Sequence, residues 1–120
     1  MIDLSQWEEA EKRSAPVTRP SDRKTVFLQG VRADVAFRCH GQSMRPTFYG
    51  GDLVFIHRQK AFSDGQIVAV MIDNGLTLKR LYRLSDGYKL VPDNKDFDPV
   101  TICGTDAERV SVYGIAIARA

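Results

Sequence analysis

Short segments rich in Val, Ile and aromatic residues follow one another along most of this sequence. Their apolar residues recur at every second position or form short runs, and the segments are KTVFLQ, ADVAFRC, DLVFIHR, QIVAVMI, LTLKRLY, YKLV and VSVYGIAIA. A period of two is typical of β-strands, in which successive side chains point to opposite faces. The pattern predicts an all-β, mainly antiparallel domain that curls or closes partly into a small β-barrel-like body.

Turn-forming residues separate these segments. They are GGD at 50–52, SDG at 63–65, DNG at 73–75, SDG at 85–87 and PDN at 92–94. Gly, Asn and Asp tolerate the backbone angles of tight turns, and Asn74-Gly75 between two apolar strands is typical of a hairpin. We therefore expect consecutive strands to pair as antiparallel neighbours.

The first residues differ from the rest of the chain. Ser5 and Glu8 form a capping pattern that predicts a short N-terminal helix, with Leu4, Trp7 and Ala10 available to one face. The stretch SAPVTRPSD at 14–22 is typical of an extended linker. We therefore expect residues 1–23 to form a helix and a Pro-containing arm, and residues 24–120 to form the folded domain.

Composition excludes several classes of function. The net charge is only +2, and the basic residues are interspersed with acidic ones rather than clustered. This distribution argues against direct DNA binding. Cys39 and Cys103 lack the spacing of a zinc site, so we expect two reduced, mostly buried thiols and no cofactor or metal. No run reaches the length of a membrane span, and the start, MIDLSQWEEAEKR, is unlike a secretory signal, which predicts a cytoplasmic protein.

One serine lies in an unusual stretch, CHGQSMRPTFYGGDLVFIHR at 39–58. Alone, Ser43 reads as a turn residue, since serine often satisfies nearby backbone groups. As a nucleophile it would need a base, and neither His40 nor His57 forms a recognisable triad with it. The other possible base is a lysine kept neutral by burial, and Lys79 follows Leu78 on an apolar strand. A solvated lysine on an exposed strand face remains the alternative.

Taken together, the two segments resemble the LexA-like serine peptidases: the carboxy-terminal domains of LexA and phage repressors, and UmuD-type proteins. GQSMRPTFYGGDLVFI matches the Gly-x-Ser-Met motif, the Gly-Asp that follows and the next strand. DGQIVAVMIDNGLTLKRL matches the strand, hairpin and Lys-Arg-Leu strand that carries the base. The separation of 36 residues (79 − 43) suits the family, and the resemblance extends over about residues 24–119.

The resemblance implies a serine endopeptidase with Ser43 as nucleophile and Lys79 as general base. It also implies an oxyanion held by backbone N–H groups near Ser43, with Gly41 and Met44 supporting the turn. It further implies a homodimer that cleaves itself when a RecA filament acts as co-protease, and that binds DNA only through a separate N-terminal domain, with no membrane partner.

The sequence departs from the family at the bond to be cut. Members that cleave themselves do so at Ala-Gly or Cys-Gly ahead of the serine, but this chain has no Ala-Gly, and Cys103-Gly104 follows the lysine. Two other readings therefore stay open: a dimerisation module that keeps the Ser/Lys pair without cleaving, and a UmuD-like accessory of SOS mutagenesis. A type I signal peptidase shares SMRPT, but the Gly-Asp-Asn-Arg block expected after the lysine is missing.

Overall fold

The computed structural model describes residues 31–120 throughout, and before them the backbone of residues 2–3, 9–12 and 25–26. Within this part of the chain there are ten strands and one 3-10 helix. The strands are β1 Ile2–Asp3, β2 Glu9–Lys12, β3 Thr25–Val26, β4 Val35–Arg38, β5 Leu53–His57, β6 Ile67–Ile72, β7 Gly75–Leu84, β8 Gly87–Val91, β9 Val100–Cys103 and β10 Val110–Arg119. The 3-10 helix, Gly104–Arg109, leads into β10.

The strands form one open sheet in which every pair is antiparallel. Its order is β2-β4-β5-β10-β6-β7-β8-β9, while β1 pairs with β7 and β3 pairs with β10. The last strand of the chain therefore lies in the middle of the sheet, between β5 and β6. Gly114 allows this close approach, because a Cβ atom there would lie 2.4 Å from the carbonyl oxygen of His57.

Each of the seven strands predicted from the sequence has a counterpart, although only Thr25–Val26 of the first lies within the described residues. The all-β, mainly antiparallel class is confirmed. The prediction missed three of the ten described strands, β1, β2 and β9, and the 3-10 helix. Strand β9 lies at the end of the sheet, and three of its four residues are exposed. An exposed edge strand has no buried face to impose alternation, so its sequence lacks the pattern that revealed the others.

The N-terminal helix predicted around Ser5 and Glu8 falls on residues outside the described part of the chain. Its expected apolar face included Ala10, and there the prediction is wrong, since Glu9–Lys12 is a strand. Strand β2 pairs antiparallel with β4 and contains a bulge between Glu9 and Glu11. Pairing with an available strand edge has overridden the local capping pattern at this point.

Two hydrophobic clusters fill the interior, and alternate residues of β6 belong to each. Ile67 and Ala69 join the first cluster, with Met44, Phe48 and Leu78. Val68, Val70 and Ile72 belong to the second cluster, together with apolar residues of β7, β8 and β10. A strand buried on both sides reads as an unbroken apolar run, which explains the sequence IVAVMI.

The two hairpins on either side of β7 have two-residue turns. In the first, Ile72 pairs with Gly75, so that Asp73 and Asn74 form the turn, and Asp73 has a φ of +53°. In the second, Leu84 pairs with Gly87 across Ser85 and Asp86. The predicted hairpin is therefore in place, although Asp73 rather than Gly75 takes the left-handed conformation.

The two thiols lie in different environments. Cys39 is buried and Cys103 is exposed, and both are free. The expectation of two mostly buried thiols was wrong for Cys103, because it ends the edge strand β9. Among the described residues, no helix has the length and apolar character that crossing a membrane requires.

Candidate active site

Ser43 lies in residues 39–52, which connect β4 to β5. The two ends of this connection meet, since the N–H of Cys39 donates to the carbonyl of Asp52 at 2.7 Å. Its middle is anchored by two buried apolar side chains, Met44 and Phe48, and the Phe48 N–H donates to the Met44 carbonyl at 2.9 Å. The serine is thus adjacent to a core residue rather than on a free loop. We call residues 41–45 the serine turn.

Gly41 opens the serine turn with a φ of +86°, a conformation that favours glycine. The turn is closed by a hydrogen bond of 3.2 Å from the Arg45 N–H to the Gln42 carbonyl. Met44 is only 2 % exposed, and its sulfur accepts a hydrogen bond of 3.4 Å from the Asp93 N–H. Both residues that the resemblance assigns to turn support therefore lie at the serine turn itself.

Lys79 lies on β7 and reaches the serine from there. Its Nζ is 3.0 Å from the Ser43 Oγ and donates a second hydrogen bond of 2.7 Å to the Thr77 Oγ1. Thr77 is buried, and it faces the same side of β7 because the two residues are two positions apart. The structure thus brings together the serine and the lysine that are 36 residues apart in the sequence.

The environment of Lys79 favours the neutral amine. Burial lowers its pKa from 10.5 to about 8, while the nearby Cys39 acts weakly in the opposite direction. The same burial raises the pKa of the Cys39 thiol to about 11, and the charge of Asp52 adds to that rise. Within the described residues, no ion pair involves Lys79. Among these residues, no carboxylate offsets the partial desolvation of the lysine by keeping it protonated.

The loop between β8 and β9, residues 92–99, forms hydrogen bonds to the serine turn. The Asn94 N–H donates to the Ser43 carbonyl at 3.0 Å, and the Asn94 side-chain amide donates to the Gln42 carbonyl at 2.9 Å. The Asp93 carboxylate accepts hydrogen bonds from the Thr47 hydroxyl at 2.5 Å and from Arg80 Nε at 2.7 Å. These contacts connect the serine turn to β7, the strand of the lysine.

Asp52 stabilises the far end of the connection. Its side chain is 1 % exposed, and it accepts a hydrogen bond of 2.9 Å from the Tyr49 N–H. Arg119 of β10 supplies a charged partner at 3.3 Å. The preceding Gly51 has a φ of +95°. These contacts give the Gly-Asp pair a structural part in closing the connection.

The histidines lie elsewhere. His57 Nδ1 is 2.9 Å from the Arg32 carbonyl oxygen and 3.1 Å from the Asp34 carboxylate. His40 is exposed, and within residues 31–120 neither histidine forms a hydrogen bond with Ser43. Lys79 is therefore the basic side chain that contacts the serine hydroxyl in the described part of the chain.

Sequence reasoning missed three residues of this site: Thr77, Asp93 and Asn94. Thr77 could have been found, since period-two alternation places it on the same side of β7 as Lys79. Asp93 and Asn94 were interpreted only as turn residues. Nothing in their spacing indicates that the turn would contact a segment about fifty positions earlier in the chain.

Comparison with known proteins agrees with this architecture. The profile of the family described as Peptidase S24-like matches residues 4–117. The LexA repressor of Thermosipho melanesiensis is 41 % identical over 89 residues, which cover 73 % of this chain and 43 % of that repressor. The LexA repressor of Azoarcus sp. is 37 % identical over 91 residues, covering 75 % of this chain and 45 % of the repressor.

A third similar protein, the LexA repressor of Thermosipho africanus, is 42 % identical over 89 residues, covering 73 % of this chain and 43 % of the repressor. The chain thus spans less than half the length of these curated relatives. The family match covers nearly all of the sequence and includes both Ser43 and Lys79. The chain belongs to the peptidase S24-like family.

Proposed function

We propose that this protein is a serine endopeptidase in which Ser43 is the nucleophile and Lys79 is the general base. The observation that carries the proposal is the distance of 3.0 Å between the Lys79 Nζ and the Ser43 Oγ. A nucleophile and a base must lie within hydrogen-bond reach for the proton to pass between them. The desolvation of Lys79 supplies the second requirement, a neutral amine.

The lowered pKa makes the base available near neutral pH. A lysine with a pKa of about 8 is neutral in about one molecule in ten at pH 7. With the ordinary value of 10.5 it would be neutral in about one molecule in three thousand. Burial therefore raises the amount of active base about 300-fold at pH 7.

The reaction would begin when the Ser43 hydroxyl donates to the neutral Lys79 amine. The Oγ attacks the peptide carbonyl carbon, and the proton moves to Nζ. The resulting ammonium then gives that proton to the leaving amine as the C–N bond breaks, which leaves an acyl group on Ser43 that water hydrolyses. Thr77 accepts a hydrogen bond from Nζ and so directs the amine towards the serine.

The oxyanion of the tetrahedral intermediate would be held by backbone N–H groups of the serine turn. Within residues 31–120, neither the Ser43 N–H nor the Met44 N–H donates a hydrogen bond. Free N–H groups beside a nucleophile stabilise the charge that develops on the carbonyl oxygen. Gly41 and Met44 support this arrangement by setting and anchoring the turn.

The similar proteins are named as repressors, and the proposal extends to that setting. The chain would be the peptidase domain of a repressor-type regulator, with the domain at residues 24–120 following an arm at residues 1–23. It would form a homodimer in the cytoplasm, cleave its own chain when RecA filaments stimulate it, and bind DNA through a separate domain. The fraction of each relative that this chain covers leaves room for such a domain.

One observation favours a second candidate. The sequence contains no Ala-Gly bond, and its one Cys-Gly bond, Cys103-Gly104, follows the lysine and begins the 3-10 helix. A domain that has lost its scissile bond would serve as a dimerisation module that keeps the Ser/Lys pair. The two candidates differ in whether a peptide bond is cut.

Self-cleavage of the full-length protein across pH 6–10, with and without activated RecA, tests the proposal. We expect the rate to rise about tenfold per pH unit below pH 8 and to level off above it, because deprotonation of Lys79 activates the serine. Ser43→Ala and Lys79→Ala should each lose at least about a thousandfold in rate. His57→Gln is the control and should retain the wild-type rate.

The outcomes separate the candidates. Cleavage that survives both Ser43→Ala and Lys79→Ala contradicts the dyad. A wild-type protein that is not cut at any pH, with or without RecA, contradicts the peptidase proposal and leaves the dimerisation module.

A further inference from the structure

The position of Asn94 suggests a role beyond that of a turn residue. It makes two hydrogen bonds to the serine turn, and both go to backbone carbonyls: its N–H donates to Ser43 and its side-chain amide donates to Gln42. The Asn94 Oδ1 in turn accepts a hydrogen bond of 3.0 Å from the Asp96 N–H within the loop. The side chain is therefore held at both ends.

These two carbonyls belong to the peptide units that carry the N–H groups of Ser43 and Met44. In a planar trans peptide the C=O and the N–H point in opposite directions. A hydrogen bond that fixes the Gln42 carbonyl therefore also fixes the Ser43 N–H, which points away from Asn94. The bond to the Ser43 carbonyl fixes the Met44 N–H in the same way.

Both N–H groups are unused within residues 31–120, as the hydrogen bonds of the serine turn show. A backbone donor that is oriented but unpaired is prepared for an acceptor from outside the chain. Because the donors face away from the β8–β9 loop, an acceptor bound to them would not touch Asn94. Asn94 would then act through the peptide unit rather than on a substrate.

The loop can hold this position only if it is itself anchored, and Asp93 provides the anchor. Its carboxylate is 13 % exposed and accepts two hydrogen bonds from Arg80, at 2.7 and 3.3 Å. Arg80 also donates to the Gly65 carbonyl at 2.8 Å and directly follows the lysine on β7. The oxyanion donors and the base are thus tied to one rigid strand through the β8–β9 loop.

We propose that Asn94 is a positioning residue for the oxyanion site: its side-chain amide orients the Gln42–Ser43 peptide unit so that the Ser43 N–H stabilises a developing negative charge. This inference rests on the proposed function, since it assigns a partner to the same nucleophile. It adds a determinant that lies outside the Ser/Lys motif and about fifty residues after the serine.

Diisopropyl fluorophosphate provides a test that needs no knowledge of the substrate. The Ser43 Oγ forms a bond to phosphorus, the P–F bond breaks, fluoride leaves, and the hydroxyl proton passes to Lys79. The phosphoryl oxygen gains negative charge during this step and so requires the oxyanion donors. The rate of modification of the full chain is measured by intact-mass spectrometry from pH 6 to pH 10.

Two variants remove the amide donor in different ways. Asn94→Leu is similar in size, carries no charge and loses both side-chain hydrogen bonds. Asn94→Asp keeps an oxygen for the Asp96 N–H, loses the donor to Gln42 and adds a negative charge. Lys95→Ala, at an exposed position in the same loop, is the matched control.

We expect both Asn94 variants to lower the plateau rate above pH 8 by about 10- to 100-fold, as misalignment of one oxyanion donor should. The pH of half-maximal rate in Asn94→Leu should stay near 8, because the base is unchanged. Lys95→Ala should match the wild-type rate. Thermal unfolding of each variant shows whether the reacting population is folded.

Three outcomes overturn the inference. Wild-type plateau rates in both folded Asn94 variants would show that the side-chain amide is not needed to orient the Ser43 N–H. A loss in Asn94→Leu but not in Asn94→Asp would assign the effect to the turn at Asp96. A shift of the pH midpoint in Asn94→Leu with an unchanged plateau would assign it to Lys79.

The proposed function fails in a distinguishable way. If wild-type Ser43 does not react at any pH, or reacts as fast in Lys79→Met, the dyad is absent and both proposals fall. If the wild type reacts with a midpoint near pH 8 and only the Asn94 variants behave as wild type, the dyad stands and this inference alone is wrong.

Discussion

The serine turn and the turn between β6 and β7 are both tight, but they are held in different ways. At the β6–β7 turn, Ile72 pairs with Gly75 and the two strands enforce the geometry between them. The serine turn depends instead on Asn94, Asp93 and buried Met44, whose partners lie about fifty residues away in the sequence. One turn is determined by its own strands and the other by the folded protein around it.

The charged side chains near the two turns also differ in their exposure and in their partners. Asp73 and Arg109 form an ion pair at the protein surface, and each is about half exposed. Lys79 is partly buried, its partners are hydroxyl groups, and it has no ion pair within the described residues. Substitutions near the serine turn should therefore alter both stability and chemistry, whereas those at the hairpin turn should alter neither strongly.

The largest effect on stability is expected at the anchor of the serine turn. Asp93→Ala removes the partner of Arg80 and the acceptor of the Thr47 hydroxyl. Since Asp93 is mostly buried, we expect the free energy of unfolding to fall by about 2 to 3 kcal/mol, measured by urea denaturation. Asp73→Ala is the matched carboxylate at the other turn. An equal loss in the two variants would remove the distinction between the turns.

The second variant should increase the free energy of unfolding rather than lower it. Lys79→Met should stabilise the protein at pH 7, by about 1 to 3 kcal/mol, because it removes a partly buried amine whose pKa falls from 10.5 to about 8. Between these values the unfolded chain binds the proton and the folded chain does not, so wild-type stability rises with pH.

The advantage of Lys79→Met should therefore be complete below about pH 8 and should shrink towards pH 10.5. Urea denaturation at pH 7 and pH 10 measures it, with Lys89→Met at an exposed position of β8 as the control. A lower stability of Lys79→Met than of wild type at pH 7 would contradict the burial of an uncompensated amine.

A smaller effect is expected from the backbone of the serine turn. Gly41→Ala should cost about 1 to 2 kcal/mol, because a φ of +86° is unfavourable for a residue with a Cβ atom, although that atom would meet nothing within 4 Å. Gly50→Ala, where φ is not in the positive range, is the control. Thermal unfolding of the two variants measures the difference, and equal melting temperatures would rule out backbone strain at Gly41.

The smallest effect is expected at the hairpin turn. Arg109 lowers the pKa of the Asp73 carboxyl through its hydrogen bonds, so Arg109→Ala should return that pKa to its ordinary range in an NMR titration. The ion pair contributes above the ordinary pKa of Asp73 and is lost as the pH falls, but exposed pairs contribute little. We therefore expect an unchanged rate at Ser43 and nearly unchanged stability at high salt. A marked loss of either would show that the turn is coupled to the site.

Much of the sheet could be predicted from the sequence because alternation and turn residues are local signals. All seven predicted strands exist, and the hairpin at Asp73 and Asn74 has the predicted place. Strand β9 was missed because an exposed edge imposes no pattern. Ala10 was misassigned because strand pairing prevailed over a capping signal.

The sequence points to Ser43 and Lys79 because their segments resemble a known family, whereas the residues alone leave a turn serine and a solvated lysine as alternatives. The distance between them and the burial of the amine depend on how β7 packs beside the serine turn. The alternation in LTLKRL does not indicate whether the amine of its lysine is shielded from water.

Local sequence patterns specify most of the strands, the hairpin turns and the pair of segments that carry the serine and the lysine, since these depend on neighbours within a few residues. Three features exist only in the folded protein: the partial burial of Lys79, its hydrogen bond to Thr77, and the hydrogen bond from Asn94 to the serine turn. Desolvation and the orientation of a peptide unit arise from atoms that are distant in the chain. For that reason a serine with the sequence context of a turn lies beside a lysine whose burial favours the neutral amine.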